Sequence, residues 1–336
     1  MMVQDTERRN TGHIVLAFAC VYFLWGSAFV ANRYGVQLVH PAVLAGLRYV
    51  IAGSCLLAFV IMRGQPIRIG RKDFLRVAGL GLIMFTCNTV LLGYGGRELN
   101  AGTTALVIAT IPLFIALLQW TIPGGNKMSG LGWLGTVTGF LGLALLSRSG
   151  LHTSVSKAHT ALGFAALLAA ALAWAVGSVL AQRVTFKAAS LLCISWQMLI
   201  GGSVNLIIGA TLGGFHTSHF TVRSVASIAY LAIFGTLAGY TSYAYLLRNV
   251  KLTTLATYAY VNPVVAIVLG WLVLGEAIAA DEWAGLLVVL LSVAIVVSAK
   301  SKPRIGSDSP TVENSSPDLT ATQSSALSPL SSSGNA

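Results

Sequence analysis

The chain has 336 residues, of which 55% are hydrophobic and 9% charged, with a mean hydropathy of +0.78 and a formal net charge of +11. Soluble domains carry roughly a quarter of their residues charged, so this composition excludes an ordinary soluble fold and leaves a membrane protein. The basic excess needs no nucleic-acid partner, because its distribution along the chain serves orientation in a bilayer, as shown below.

A helix crosses a bilayer with about 20 apolar residues. Ten such runs occur, with cores at 13–33, 41–62, 74–95, 102–121, 129–147, 161–182, 190–212, 224–247, 253–273 and 282–299. The first run, His13 to Ala31, is too long for a signal-peptide core and reads as an uncleaved span. Residues 1–12 precede it as a short N-terminus. Residues 13–148 hold spans one to five, 149–160 connect, and 161–299 hold spans six to ten. The tail 300–336, rich in Ser, Thr, Pro and Asn, cannot build a core and is expected to be disordered. Cys20, Cys55, Cys87 and Cys193 fall singly inside apolar runs, as small fillers rather than a disulfide or metal set.

Short-loop Lys and Arg set orientation. With the N-terminus inside, inside segments hold 15 of the 21 basic residues, outside segments hold Arg33, Arg97, Arg148, Lys157 and Arg223, and Arg48 lies within span two. Both termini are therefore expected in the cytoplasm.

The two halves repeat. Trp25-Gly26-Ser27 in span one matches Trp174-Ala175-Val176-Gly177-Ser178 in span six. Arg48 follows Trp25 by 23 residues, as Gln197 follows Trp174. Pro112 is preceded by Arg97 at 15 residues and followed by Trp120 at eight; Pro263 stands in the same relation to Arg248 and Trp271. Offsets stay between 149 and 151. Five spans per half is an odd number, so the second copy enters from the opposite side. The fold class is all-α, ten transmembrane helices in two inverted five-helix repeats. Interrupted helices at matching positions, around Pro112 and Pro263 with Asn262 beside it, mark the expected substrate cavity or hinge.

Leu24-Trp25-Gly26-Ser27, Leu44-Ala45-Gly46-Leu47-Arg48, Tyr258-Ala259-Tyr260-Val261-Asn262-Pro263 and Leu274-Gly275-Glu276 resemble the EamA branch of the drug/metabolite transporter superfamily. The resemblance covers residues from about 13 to 300, so both halves read as EamA-type repeats. It implies a ten-helix inner-membrane carrier, usually an exporter of amino acids or other small metabolites. It also implies a central cavity walled by spans one, three, four, six, eight and nine. The family often carries Gly-Glu after span four as well as span nine; here the first position reads Gly124-Gly125, and the glutamate survives as Glu276.

Each candidate has a bland and a functional reading. Glu276 is a helix-end charge partner near Asp281 and Glu282, or a gate residue. Arg48 lies about 10 Å into span two; it snorkels or pairs structurally, or it contacts an anion or carboxylate. Arg33 and Arg248 read first as interface anchors, and Arg97 and Glu98, at the end of span three, as a pair neutralising one another at the outer surface. Asn88 is the best cavity candidate among the in-span amides Asn88, Gln119, Gln197 and Asn205, which otherwise bond between helices. Trp25, Tyr94, Trp174, Tyr240, Tyr243, Tyr258 and Tyr260 form either core or an aromatic cavity wall suited to an apolar substrate with one polar handle.

Gly130-Leu131-Gly132-Trp133-Leu134-Gly135 matches a dinucleotide fingerprint but opens a membrane span and lacks the strand that motif needs. Gly135, Gly139, Gly235 and Gly239 read as small-residue packing faces. With no P-loop, no cofactor is expected. No acidic residue or histidine sits at mid-span, so a midplane carboxylate does not support proton coupling. The expected function is secondary export of a small molecule by alternating access. The rivals are a lipid or polyprenyl-carrier flippase and, less favoured, a membrane-embedded enzyme, for which no nucleophile–base pair or metal cluster is found.

Overall fold

The computed structural model describes residues 2–122, 129–150, 157–250, 252–255, 257–275 and 280–298. The expected disordered tail, the 149–160 connection beyond residue 150 up to 156, and Glu276 lie outside the described residues. Every described element is helical. In chain order they are α1 (Met2–Leu38), α2 (Pro41–Met62), α3 (Arg71–Glu98), α4 (Ala101–Thr121), α5 (Gly130–Gly150), α6 (Lys157–Arg183), α7 (Ser190–Thr211) and α8 (Val222–Asn249). They end with α9 (Tyr258–Leu269, extended by a π-helical turn Gly270–Leu274) and α10 (Ala280–Ser298). Seven are long and apolar enough to cross a membrane. At 1.5 Å per residue, the 22 residues of α2 reach about 33 Å, the thickness of a bilayer core. Phe23, Phe59, Ile61, Leu131, Val222 and Trp271 are exposed, as a lipid-facing belt requires.

The packing has the symmetry of an inverted repeat. Helix α1 packs on α8 and α9; α6 packs on α3 and α4; α2 pairs with α7 and α5 with α10. Advancing each number by five maps this set onto itself. At the α2–α7 seam Gly46 meets Leu206, Gly53 meets Leu199, Gly202 meets Val50 and Gly209 meets Val43. Residue numbers run in opposite senses, so helices in equivalent places of the two repeats lie antiparallel. A methyl group on Gly46 would sit 2.6 Å from the Leu206 side chain, which is why the backbones can approach only with glycine here.

Two local features depart from the sequence-based expectation. Helix α4 breaks at Ala109-Thr110, and Pro112 takes the second position of the following helix, where its missing N–H breaks no bond. Thr110 closes the break through its N–H and its Oγ1, both donating to the Val107 carbonyl at 3.1 and 2.6 Å. In the second repeat, however, Pro263 sits inside a continuous helix, and the interruption lies ahead of Tyr258, after the single turn Leu252–Leu255. One lost hydrogen bond does not end a helix that its neighbours hold in place. Helices α3 and α8 each contain a π-helical segment, Leu82–Cys87 and Leu231–Ala238, at the 149-residue offset of the repeat.

Candidate functional site

Where the repeats meet, a cavity of about 100 Å³ lies between the helices. Its wall draws on α1 (Trp25, Ala28, Phe29, Asn32), α2 (Arg48, Tyr49), α3 (Phe85, Asn88, Thr89, Leu92), α4 (Ile108, Ile111), α6 (Trp174), α8 (Gly235, Thr236, Tyr240) and α9 (Tyr258, Asn262). The π-helical segments deliver this lining. Phe85 lies within the first, with Asn88 and Thr89 just beyond it; Gly235 and Thr236 lie within the second. Such segments shift side chains out of the α-helical register and recur at functional sites.

The floor is aromatic. Trp25 and Trp174, repeat equivalents, meet edge to face with centroids 5.3 Å apart. Trp25 also packs on Tyr243 at 5.0 Å and Tyr258 at 5.2 Å. Its Nε1 donates to the Gly235 carbonyl at 3.0 Å, and Gly239 leaves the space its indole fills. Tyr243 lies one layer behind, donating to Ser178 Oγ at 2.8 Å. Trp174 Nε1 is buried, and no acceptor within hydrogen-bond geometry meets it among the described residues.

The polar side of the wall centres on Arg48, 8% exposed. Its Nε donates to Thr236 Oγ1 at 2.9 Å, and its guanidinium carbon stands 4.7 Å from the Tyr49 ring centre. No carboxylate pairs with it among the described residues. Tyr49 and Thr89 share a hydrogen bond of 2.7 Å, and Asn88 Nδ2 donates to the Ala170 carbonyl at 2.8 Å. Asn262, with its amide turned so that both ends are satisfied, donates to the carbonyls of Tyr22 and Tyr258 and ties α9 to α1. Asn32, 3% exposed, lies two turns beyond Trp25 on the same face of α1.

The two ends of the cavity are built differently. At the end carrying Arg97, Arg33 Nη1 donates to the carbonyls of Gly96 and Arg97, and Gln37 Nε2 to that of Arg97. Beside this clamp, His40 Nε2 and Tyr94 OH lie 3.1 Å apart. Burial, and then the Arg97 charge, push the His40 pKa below its ordinary value. At the other end, carrying Arg183, a vestibule of about 900 Å³ runs between α6, α7 and α8. Tyr240 belongs to both the vestibule and the cavity, and its hydroxyl donates to Gln197 Oε1 at 3.1 Å. Arg248 lines the vestibule and donates to Ser190 Oγ.

Of the residues proposed from sequence, Trp25, Arg48, Asn88, Trp174, Tyr258 and Asn262 line one cavity. Tyr243 packs behind it; Pro112 and Pro263 are buried next to lining positions. Tyr260 has its backbone in α9, and its side chain is outside the described set. Asn32, Tyr49, Phe85, Thr89 and Thr236 join the lining without having been singled out from sequence. Helical spacing from Trp25 could have found Asn32, and Tyr49 adjoins Arg48 on α2; Phe85, Thr89 and Thr236 needed the π-helical register.

The chain matches the EamA-like transporter family twice, over residues 12–148 and 161–298. It is 31% identical over 285 residues to the uncharacterized inner membrane transporter YedA of Escherichia coli strain K12, covering 84% of this chain and 90% of that protein. It is 27% identical over 284 residues to the WAT1-related protein At3g02690, chloroplastic, of Arabidopsis thaliana, covering 82% and 67%. A solved crystal structure of a protein superposes with a TM-score of 0.62 at 17% identity, covering 85% of this chain and 97% of that one, which supports the fold.

Proposed function

We propose a function on one premise: this chain belongs to the EamA-like transporter family. It is a membrane transporter, and in our reading it exports a small metabolite, an amino acid or related compound, across the cell's inner membrane by alternating access. The observation that carries this reading is the cavity at the junction of two antiparallel repeats, with a clamp at one end and, at the other, a vestibule that shares Tyr240 with it. The excess of Lys and Arg puts the Arg183 end and both termini in the cytoplasm. The conformation is then one in which the outer clamp is shut and solute from the cytoplasm waits behind Tyr240. Turnover breaks the Arg33 and Gln37 bonds to the α3 carbonyls while the vestibule closes. The interrupted α4 and the α9 start, beside Ile111 and Tyr258, act as the hinges in this scheme.

The test is counterflow in proteoliposomes loaded with unlabelled solute, across a panel of amino acids and small carboxylates. Saturable accumulation of a labelled panel member, lost in Trp25→Ala, is expected. Movement of fluorescent phospholipid between leaflets with no solute counterflow would replace this reading with that of a flippase.

A further inference from the structure

We infer that the cavity selects a small organic anion, a carboxylate on an apolar body, over the zwitterion, neutral amide or cation of the same size. The inference rests on the transport reading above and narrows its substrate class from amino acids and related compounds to related compounds that carry a carboxylate and no ammonium. Arg48 is nine-tenths buried in the cavity wall, and among the described residues only Nε of its guanidinium nitrogens has a protein acceptor, Thr236. No acidic residue lines the cavity or the vestibule among the described residues, so nothing there offsets this charge or offers an ammonium an ion pair. A desolvated guanidinium gains most from a planar carboxylate that it can hold through two N–H groups.

Two further observations point the same way. Ile111 and Tyr258, the first residues of two helices each longer than ten residues, line the cavity, so the positive ends of both helix dipoles abut it. The vestibule leading to it carries Arg248, giving an anion a basic approach path. The rest of the wall is aromatic and aliphatic, which suits the body of the solute. A cavity of about 100 Å³ sets the size at a few carbons.

The experiment is calorimetric titration of the purified full chain in detergent with four probes that share a four-carbon body: butyrate, 2-aminobutyrate, butyramide and butylamine. Butyrate is expected to bind at least tenfold more tightly than each of the others. Arg48→Ala should weaken butyrate at least tenfold and leave butyramide unchanged, with Arg48→Lys between. Melting temperatures of both variants check the fold; if Arg48→Ala does not fold, the Arg48→Lys shift and the probe ranking decide. Tighter binding of 2-aminobutyrate or butylamine, abolished by Trp174→Ala, overturns anion selection and leaves the transport reading standing. Binding of none of the four overturns this inference, and counterflow of some other solute would then still uphold the transport reading.

Discussion

Trp25 and Trp174 touch edge to face at 5.3 Å and 84°, although 149 positions separate them. They are the same residue of the two repeats, and equivalent residues of an inverted pair can touch only near the axis that relates them. The contact therefore locates the pseudo-twofold axis at the floor of the cavity. The lining departs from that symmetry: Arg48 in one repeat lines the cavity and donates to Thr236, and its equivalent Gln197 accepts from Tyr240.

Trp174 fills space beneath the cavity and contacts Trp25, Tyr240 and Tyr243. Trp174→Ala should cost about 3–5 kcal/mol of stability and abolish saturable counterflow. Trp174→Phe should fold normally and retain part of the flux. Thermal melts and counterflow on the same preparations check both.

The α2–α7 seam needs glycine at Gly46. Gly46→Leu should lower stability by about 1–3 kcal/mol or prevent folding, because its first carbon already collides with Leu206. Gly79→Leu, with open space around the position, is the matched control and should melt like the parent.

Much of this was legible before any coordinates. Ten spans follow from apolar runs of bilayer length, and the repeat from the paired Trp25/Trp174 and Arg48/Gln197 spacings. The π-helical segments were not legible, because Leu82–Cys87 and Leu231–Ala238 are ordinary apolar stretches whose extra residue per turn is imposed by packing. The α9 interruption was misplaced for a related reason: a proline reports a missing N–H, and neighbouring helices decide whether the chain bends there. Arg33 read as an interface anchor because its acceptors, the carbonyls of Gly96 and Arg97, are distant in sequence.

Tyr240 separates vestibule from cavity through its bond to Gln197. Tyr240→Phe removes a contact worth about 1 kcal/mol, so exchange should accelerate up to about fivefold with little change in solute affinity. Gln197→Ala should show a similar gain, and the double variant no more than either single one. Stopped-flow counterflow rates check this.

Protonation of His40 is disfavoured in the fold, by burial and by Arg97, and its partners are Tyr94 and, through the backbone, Ser218. The unfolded chain therefore binds the proton more readily. Stability from this group is complete above the ordinary value of 6.5 and falls as pH drops from there toward the lower folded value. Melting temperature should decline between about pH 7 and the folded value, and the decline should shrink in His40→Gln.

The central claim is one cavity reached alternately from each face. Asn32→Cys, in a background with Cys20, Cys55, Cys87 and Cys193 replaced by serine or alanine, puts a thiol on the cavity wall. Labelling with a membrane-impermeant maleimide in right-side-out and in inverted vesicles is the direct measurement. Reaction from both faces, slowed on both by a transported solute, is the expected result; reaction from one face alone, unaffected by any solute that drives counterflow, would contradict the account.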